Sequence, residues 1–420
     1  MIGKLINELK FFNSHGKSMK MLLLTNLIYG MVIPIIELFI GAYIFRNSSD
    51  LSLIVLFQLA VYTGIPLTFM INGFLLNRVK IDKLYSLGMM LSGVSMIAMM
   101  SLQELDAKGI FFAGLIMGLS YGFFWANRDL LALNTTHNEN RNYYYGIETF
   151  FYTNTGILIP LLAGAFIAAT DNNGWFNGHV NTAYYILTGF VIVLSIVAAI
   201  FVHKGDFQNP PKTPFIFFKF DKLWHKMLKL AALKGVAQGY IVTAPTMLIL
   251  TLVGKEGSLG LLQSIGALIS AFLLYFLGRI SKPQHRVMIY LIGCLAFVVG
   301  SMFNALLYSA LGAICFVLFL QFSRPLLDIA YFPISLRVMD FLSKKEKRNE
   351  FAYVFNHEFG MYLGRLFGCG LFIVLAKYVS EYFALRYALL FIAIIHLFGV
   401  LYAKSITKDL DNAGESIQTN

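Results

Sequence analysis

Apolar positions in this chain neither alternate with polar ones nor return around a polar helical face. They gather into runs of about 20 residues or longer, the length a helix needs to cross roughly 30 Å of hydrocarbon. The runs predict helices over 19–45, 51–76, 84–102, 109–134, 143–169, 182–203, 228–253, 259–278, 287–305, 309–333, 351–376 and 386–403. Strands of a membrane barrel would instead alternate strictly over short segments. The expectation is an all-α integral membrane protein with twelve transmembrane helices in two six-helix bundles.

The two sets share polar landmarks. Glu139-x-Arg141-Asn142 precedes the fifth run, and Glu346-x-Arg348-Asn349 precedes the eleventh. Asn77-Arg78 follows the second run and Gly278-Arg279 the eighth, each leading into a basic connection. Matching landmarks in corresponding places point to duplicated, pseudo-symmetric halves. The expected division is a bundle over 1–203, a linker over 204–227, a second bundle over 228–404, and a polar, disordered tail over 405–420. Prolines 210, 211 and 214 and the aromatic-basic stretch Phe215 to Lys226 suit a linker resting partly on a membrane surface.

Composition agrees with the pattern: 58% of residues are apolar, 13% are charged, and mean hydropathy is +0.68. Lys and Arg concentrate in alternate connections, so both termini are expected in the cytoplasm. The net charge of +11 is then a basic inner face meeting anionic lipid, with no nucleic-acid partner required. Cys294, Cys315 and Cys369 fall in predicted helices without paired spacing, which implies neither a disulfide framework nor a metal site. The first run is too long for a signal-peptide core and reads as a retained helix. Short connections are in keeping with a bacterial cytoplasmic membrane.

Twelve helices in two halves, with basic connections after the second and eighth, resemble the major facilitator superfamily. Gly73-Phe-Leu75-Leu-Asn77-Arg78 keeps the Gly, Leu and Arg of that family's signature, with Asn77 where the family has Asp. Glu139 and Arg141 before the fifth helix also look like the family, and Pro160 and Gly164 partly match the glycine-proline motif of its proton antiporters. The second helix offers Gln58, Tyr62 and Asn72 but no carboxylate, so the sodium site of the family's sugar symporters is not supported. The resemblance implies a secondary transporter whose first, fourth, seventh and tenth helices line a central cavity.

Those four helices carry Glu37, Arg128, Asp129, Lys234, Arg324 and Asp328. An ionisable group at the bilayer centre costs roughly 2.5–3.5 kcal/mol on insertion scales, so each needs a partner, a wet cavity or a function. Glu37, just past Pro34, is either a proton-coupling or substrate-binding group, or else half of a structural salt bridge or an end that snorkels outward. Arg324 and Asp328 are four apart on one face and either neutralise each other or bind solute. Trp125 is a stacking surface or an interfacial anchor. Glu358 and Arg365 share a face of the eleventh helix and serve either a proton relay or a network between helices.

The expected solute contacts are Trp125, Asn127, Arg128, Gln238, Tyr240, Gln321, Arg324 and Asp328. Glu37, Asp129 and Glu358 are the candidate proton carriers, and Asn77, Arg78, Arg141, Arg279 and Arg348 are the candidate gating residues. The expected function is proton-coupled transport of a small polar or anionic solute by a monomer, without a cofactor. A lipid or amphiphile flippase, a drug exporter, and a non-transporting membrane receptor or assembly partner are the alternatives.

Overall fold

The computed structural model describes residues 12–48, 50–136, 140–210, 214–280 and 282–418. Among these, twelve helices are long and apolar enough to span a membrane. They are α1 Lys17–Ser48, α2 Leu51–Leu75, α3 Ile81–Met100, α4 Ala107–Ala132, α5 Tyr143–Asn172 and α6 Asn181–His203 in the first half. The second half holds α7 Lys222–Leu252, α8 Glu256–Leu277, α9 Pro283–Leu307, α10 Ala310–Glu346, α11 Glu350–Tyr378 and α12 Glu381–Asn412.

Packing repeats as the polar landmarks do. Within the first half α1 packs on α5 and α6, α2 on α4, and α3 on α4 and α6. Six spans later the same pairs recur: α7 on α11 and α12, α8 on α10, and α9 on α10 and α12. The halves meet through α5 on α8, α2 on α11, and the far end of α1 on the far end of α7. Glycines stand where backbones approach most closely, as Gly164 does against Gly260 between α5 and α8.

Most boundaries shift by a few residues, and three differ in ways that the packing explains. Span α7 begins at Lys222 rather than 228, because Asp221 caps it by accepting from the Leu223 N–H at 2.8 Å. Span α10 passes through Pro333 to Glu346, since Ile334, Val338, Met339 and Leu342 continue its buried stripe. The tail expected to be disordered is helical, over Gly399–Gln418. Its Ala403, Ile406 and Leu410 are buried at helical spacing, and Lys226 and Arg337 hold Asp409 and Asp411 at 2.6 and 2.9 Å.

The described parts of the connection, 204–210 and 214–221, lie at one end of the bundle, here called the linker face; the opposite end is the far face. Phe215 is wedged between the halves, with ring centroids 5.4 Å from Phe74, 5.5 Å from Phe351 and 5.6 Å from Phe355. Gly73 makes room for it, since a Cβ there would stand 2.4 Å from the Phe215 ring. At the end of the linker the Lys345 ammonium, 2.7 Å from Asp221, holds that carboxyl below the usual carboxylate range. The interaction is complete above the ordinary carboxylate pKa and is lost as pH falls through the lowered value. Asp221→Asn is therefore expected to flatten the acid limb of a melting-temperature titration, and an unchanged limb would place that sensitivity elsewhere.

Candidate functional site

A cavity of about 280 Å³ lies at the seam between the halves, walled by α1, α2, α4, α7 and α11. Glu37 on α1 is exposed to this cavity and, among the described residues, its carboxylate has no hydrogen-bond or ion-pair partner. Two further polar atoms of the wall are also unmatched: the buried hydroxyls of Tyr121 and Thr246. Buried polar groups are normally satisfied, so two unsatisfied hydroxyls beside an unpartnered carboxylate around one space mark a place for water or a polar ligand.

On the α7 side the wall is a broken helix. Pro245 lacks an N–H, so the Ile241 carbonyl loses its helical donor, and the helix interrupts between Ile241 and Ala244. Side chains from neighbouring spans take over. Tyr62 of α2 donates to the Gln238 carbonyl at 2.9 Å, and Cys369 of α11 to that of Gly239 at 2.8 Å. Arg324 of α10 donates to that of Ile241 at 2.6 Å. Arg365 of α11 completes the wall, held by the Gln238 side chain at 2.9 and 3.0 Å and by Glu358 at 3.2 Å.

The structure places the sequence-derived candidates in three settings. Trp125, Gln238 and Glu37 line the cavity, and Arg324 stands beside it, acting electrostatically on Glu37. Asn127, Tyr240 and Gln321 do not line it. Asn127 exchanges two hydrogen bonds with Asn72 of α2, at 2.8 and 3.1 Å, and Gln321 donates to Gln263 of α8 at 2.6 Å. Tyr240 stacks on Phe372 with centroids 4.7 Å apart. Asp328 does not pair with Arg324 as their spacing predicts. Its partner is Lys234 of α7, at 2.8 Å, because α7 brings an ammonium closer than Arg324, which the α7 break has claimed.

Arg128 belongs to a separate cluster in the first half. It grips Glu148 through Nε and Nη2 and donates to Asp129 at 2.6 Å. Asp129 is exposed, and Glu358 of the other half acts on it electrostatically. Of the candidate gating residues, Asn77 and Arg78 are exposed in a turn that Asn209 of the linker ties through the Leu76 and Val79 carbonyls, both at 2.8 Å. Arg348 is turned onto the linker, donating to the Lys219 carbonyl at 2.6 Å and lying 4.5 Å from the Phe217 ring centre. Glu139 and the side chains of Arg141 and Arg279 lie outside the described residues.

The family profile of the Major Facilitator Superfamily matches residues 21–369. The chain belongs to the major facilitator superfamily. It is 21% identical over 409 residues to the uncharacterized protein YqgE of Bacillus subtilis, covering 96% of this chain and 93% of that one. Among the solved structures that share the fold are two transporters. One is a bacterial homologue of the human drug peptide transporters PepT1 and PepT2, with a TM-score of 0.69 and 12% identity, covering 94% of this chain and 99% of that one. The other comes from work on substrate recognition in proton dependent oligopeptide transporters, with a TM-score of 0.67, 11% identity and the same coverage.

The chain is thus an integral membrane transporter-family protein and not an enzyme. The sequence pattern did not reveal how the halves are tied together at the far face. Arg46 of α1 grips Glu256 of α8 through two bonds of 2.7 and 2.9 Å, with Tyr184 donating to the same carboxylate at 3.1 Å. Among the described residues this is the one ion pair that joins the two halves. Tyr121 and Thr246 were equally invisible beforehand, since an aromatic and a hydroxyl inside an apolar run carry no positional signal.

Proposed function

We propose that the protein moves a small polar solute across the membrane together with a proton carried by Glu37, the halves exposing the central cavity to each side in turn. The observation that carries this reading is the unpartnered Glu37 carboxylate facing a water-accessible cavity at the seam. A lone carboxylate in a membrane protein is retained where it exchanges a proton or meets a ligand. The cavity volume falls near the lower end of small-molecule pockets, which favours a compact solute over a two-chain lipid. Both solved structures named above concern peptide transporters, and short peptides and amino acids head the candidates accordingly.

In this reading Trp125, Gln238 and Arg365 contact the solute, with Tyr121 and Thr246 supplying hydroxyls. Asp129 and Glu358, near the linker face, form the proton's route between Glu37 and that side. The linker face is cytoplasmic because it carries the basic connections. The unit of function is a monomer in lipid.

The test is uptake into liposomes containing the purified protein, with an imposed proton gradient and a panel of amino acids, di- and tripeptides, organic acids and sugars. Glu37→Gln is expected to lose gradient-driven accumulation by at least about tenfold, in line with its loss as an essential proton carrier, while solute exchange without a gradient continues. Accumulation that survives Glu37→Gln would remove Glu37 from coupling.

A further inference from the structure

We propose that Arg324 is the positioning residue that passes the charge state of Glu37 to the far-face clasp through the break in α7. The inference rests on the reading of Glu37 as the proton site. Its geometric basis is that the carbonyl Arg324 holds belongs to Ile241, next to Val242 and Thr243 of the cavity wall that Glu37 also lines. Arg324 holds the Ile241 carbonyl that Pro245 leaves without a donor, and it is also the cation acting on Glu37 from the opposite half.

The groups facing Glu37 from the other spans leave Arg324 as the responsive one. Tyr62 of α2 and Tyr121 of α4 are phenols, neutral at physiological pH. Arg365 of α11 is committed to Gln238 and Glu358. The α7 residues of the wall, Gln238, Thr243 and Thr246 among them, do not titrate. When Glu37 is protonated, Arg324 stays on the Ile241 carbonyl and α7 keeps its bend. When Glu37 is ionised, it draws Arg324 towards the cavity, and the carbonyl loses a donor that the backbone cannot replace.

The segment beyond the break is a lever. Ala244–Leu252 is a nine-residue helix, about 14 Å long at 1.5 Å per residue, pivoting at Val242 and Thr243. Its far end runs through a three-residue turn, 253–255, into Glu256, the acidic half of the clasp on Arg46. Rotation at the pivot therefore moves Glu256 directly. No long chain of intermediates is needed between the cavity and the gate.

The experiment measures the distance across the far face by spin labels on Gln103→Cys and Lys255→Cys, two exposed loop positions on opposite halves, in the full chain carrying Cys315→Ser in lipid nanodiscs. The wild-type background is expected to show a mean distance that shifts between acidic and alkaline pH. Glu37→Gln is expected to hold the acidic distance throughout. Arg324→Gln is expected to lose the pH-dependent shift. Arg324→Lys, which keeps the charge and one bond to the carbonyl, is expected to restore the shift with a displaced midpoint.

A full shift in Arg324→Gln, with Glu37→Gln flat, would overturn the role of Arg324 and leave Glu37 as the proton site. A shift that persists in Glu37→Gln would overturn both. Should Arg324→Gln not fold, Arg324→Lys decides alone: wild-type amplitude and midpoint would overturn the proposal.

Discussion

Arg128→Ala is expected to destabilise the first half by about 3–5 kcal/mol, the cost of leaving a buried charge without its partner. The stranded charge is Glu148, whose side chain is 2% exposed. Four donors converge on it: two from Arg128, the Asn26 amide at 2.6 Å and the Tyr144 hydroxyl at 3.0 Å. Asn26 in turn accepts from Tyr85, so one carboxylate ties α1, α3, α4 and α5 together. Thermal unfolding in detergent checks this. The double variant Arg128→Met with Glu148→Leu should recover most of the loss, because a packed apolar pair carries no desolvation cost. If the double variant refolds but no longer transports, Arg128 contacts solute as well; if it transports, the pair is structural.

Gly364→Val is expected to cost about 3 kcal/mol or more, the upper range for overpacking, and to abolish transport. A Cβ at Gly364 would stand 1.9 Å from the Ala232 carbonyl oxygen and 2.7 Å from the Val236 nitrogen, both backbone atoms of α7. Backbone cannot rotate aside as a side chain can, so α11 and α7 must separate. Separation withdraws Cys369 from the Gly239 carbonyl and Arg365 from Gln238, and the broken segment of α7 loses its supports. Expression yield and melting temperature report the packing loss. Gly370→Ala is the control, since nothing lies within 4 Å of its added methyl. Equal melting temperatures for the two variants would mean that α7 and α11 can separate at no cost, against the close backbone approach at Gly364.

Much of the candidate site was legible only as a set of residue types. Glu37 could be singled out because a carboxylate seventeen positions beyond Lys20 is conspicuous in an apolar run; that it lacks a partner could not be read there. The i,i+4 spacing of Arg324 and Asp328 is a real local signal, but local spacing does not reveal a competitor. Lys234, from another span, takes Asp328, and the carbonyl freed by Pro245 takes Arg324. Asn127 looked equally suited to a solute until α2 placed Asn72 against it.

The sequence by itself determined the twelve spans, their duplication and the all-helical class. The spans and the class follow from a local requirement, since a segment in hydrocarbon must satisfy its own backbone and only a long apolar helix does so without neighbours; the duplication follows from polar landmarks that recur in order along the chain. It also marked which spans carry charge. Tertiary structure alone decided which charges are paired, where α7 is supported across its break, and that Arg46 and Glu256, 210 residues apart, join the halves at the far face. Pairing of that kind depends on which helix faces bring donors and acceptors within about 3 Å, and no periodicity along one helix encodes the face its neighbour presents.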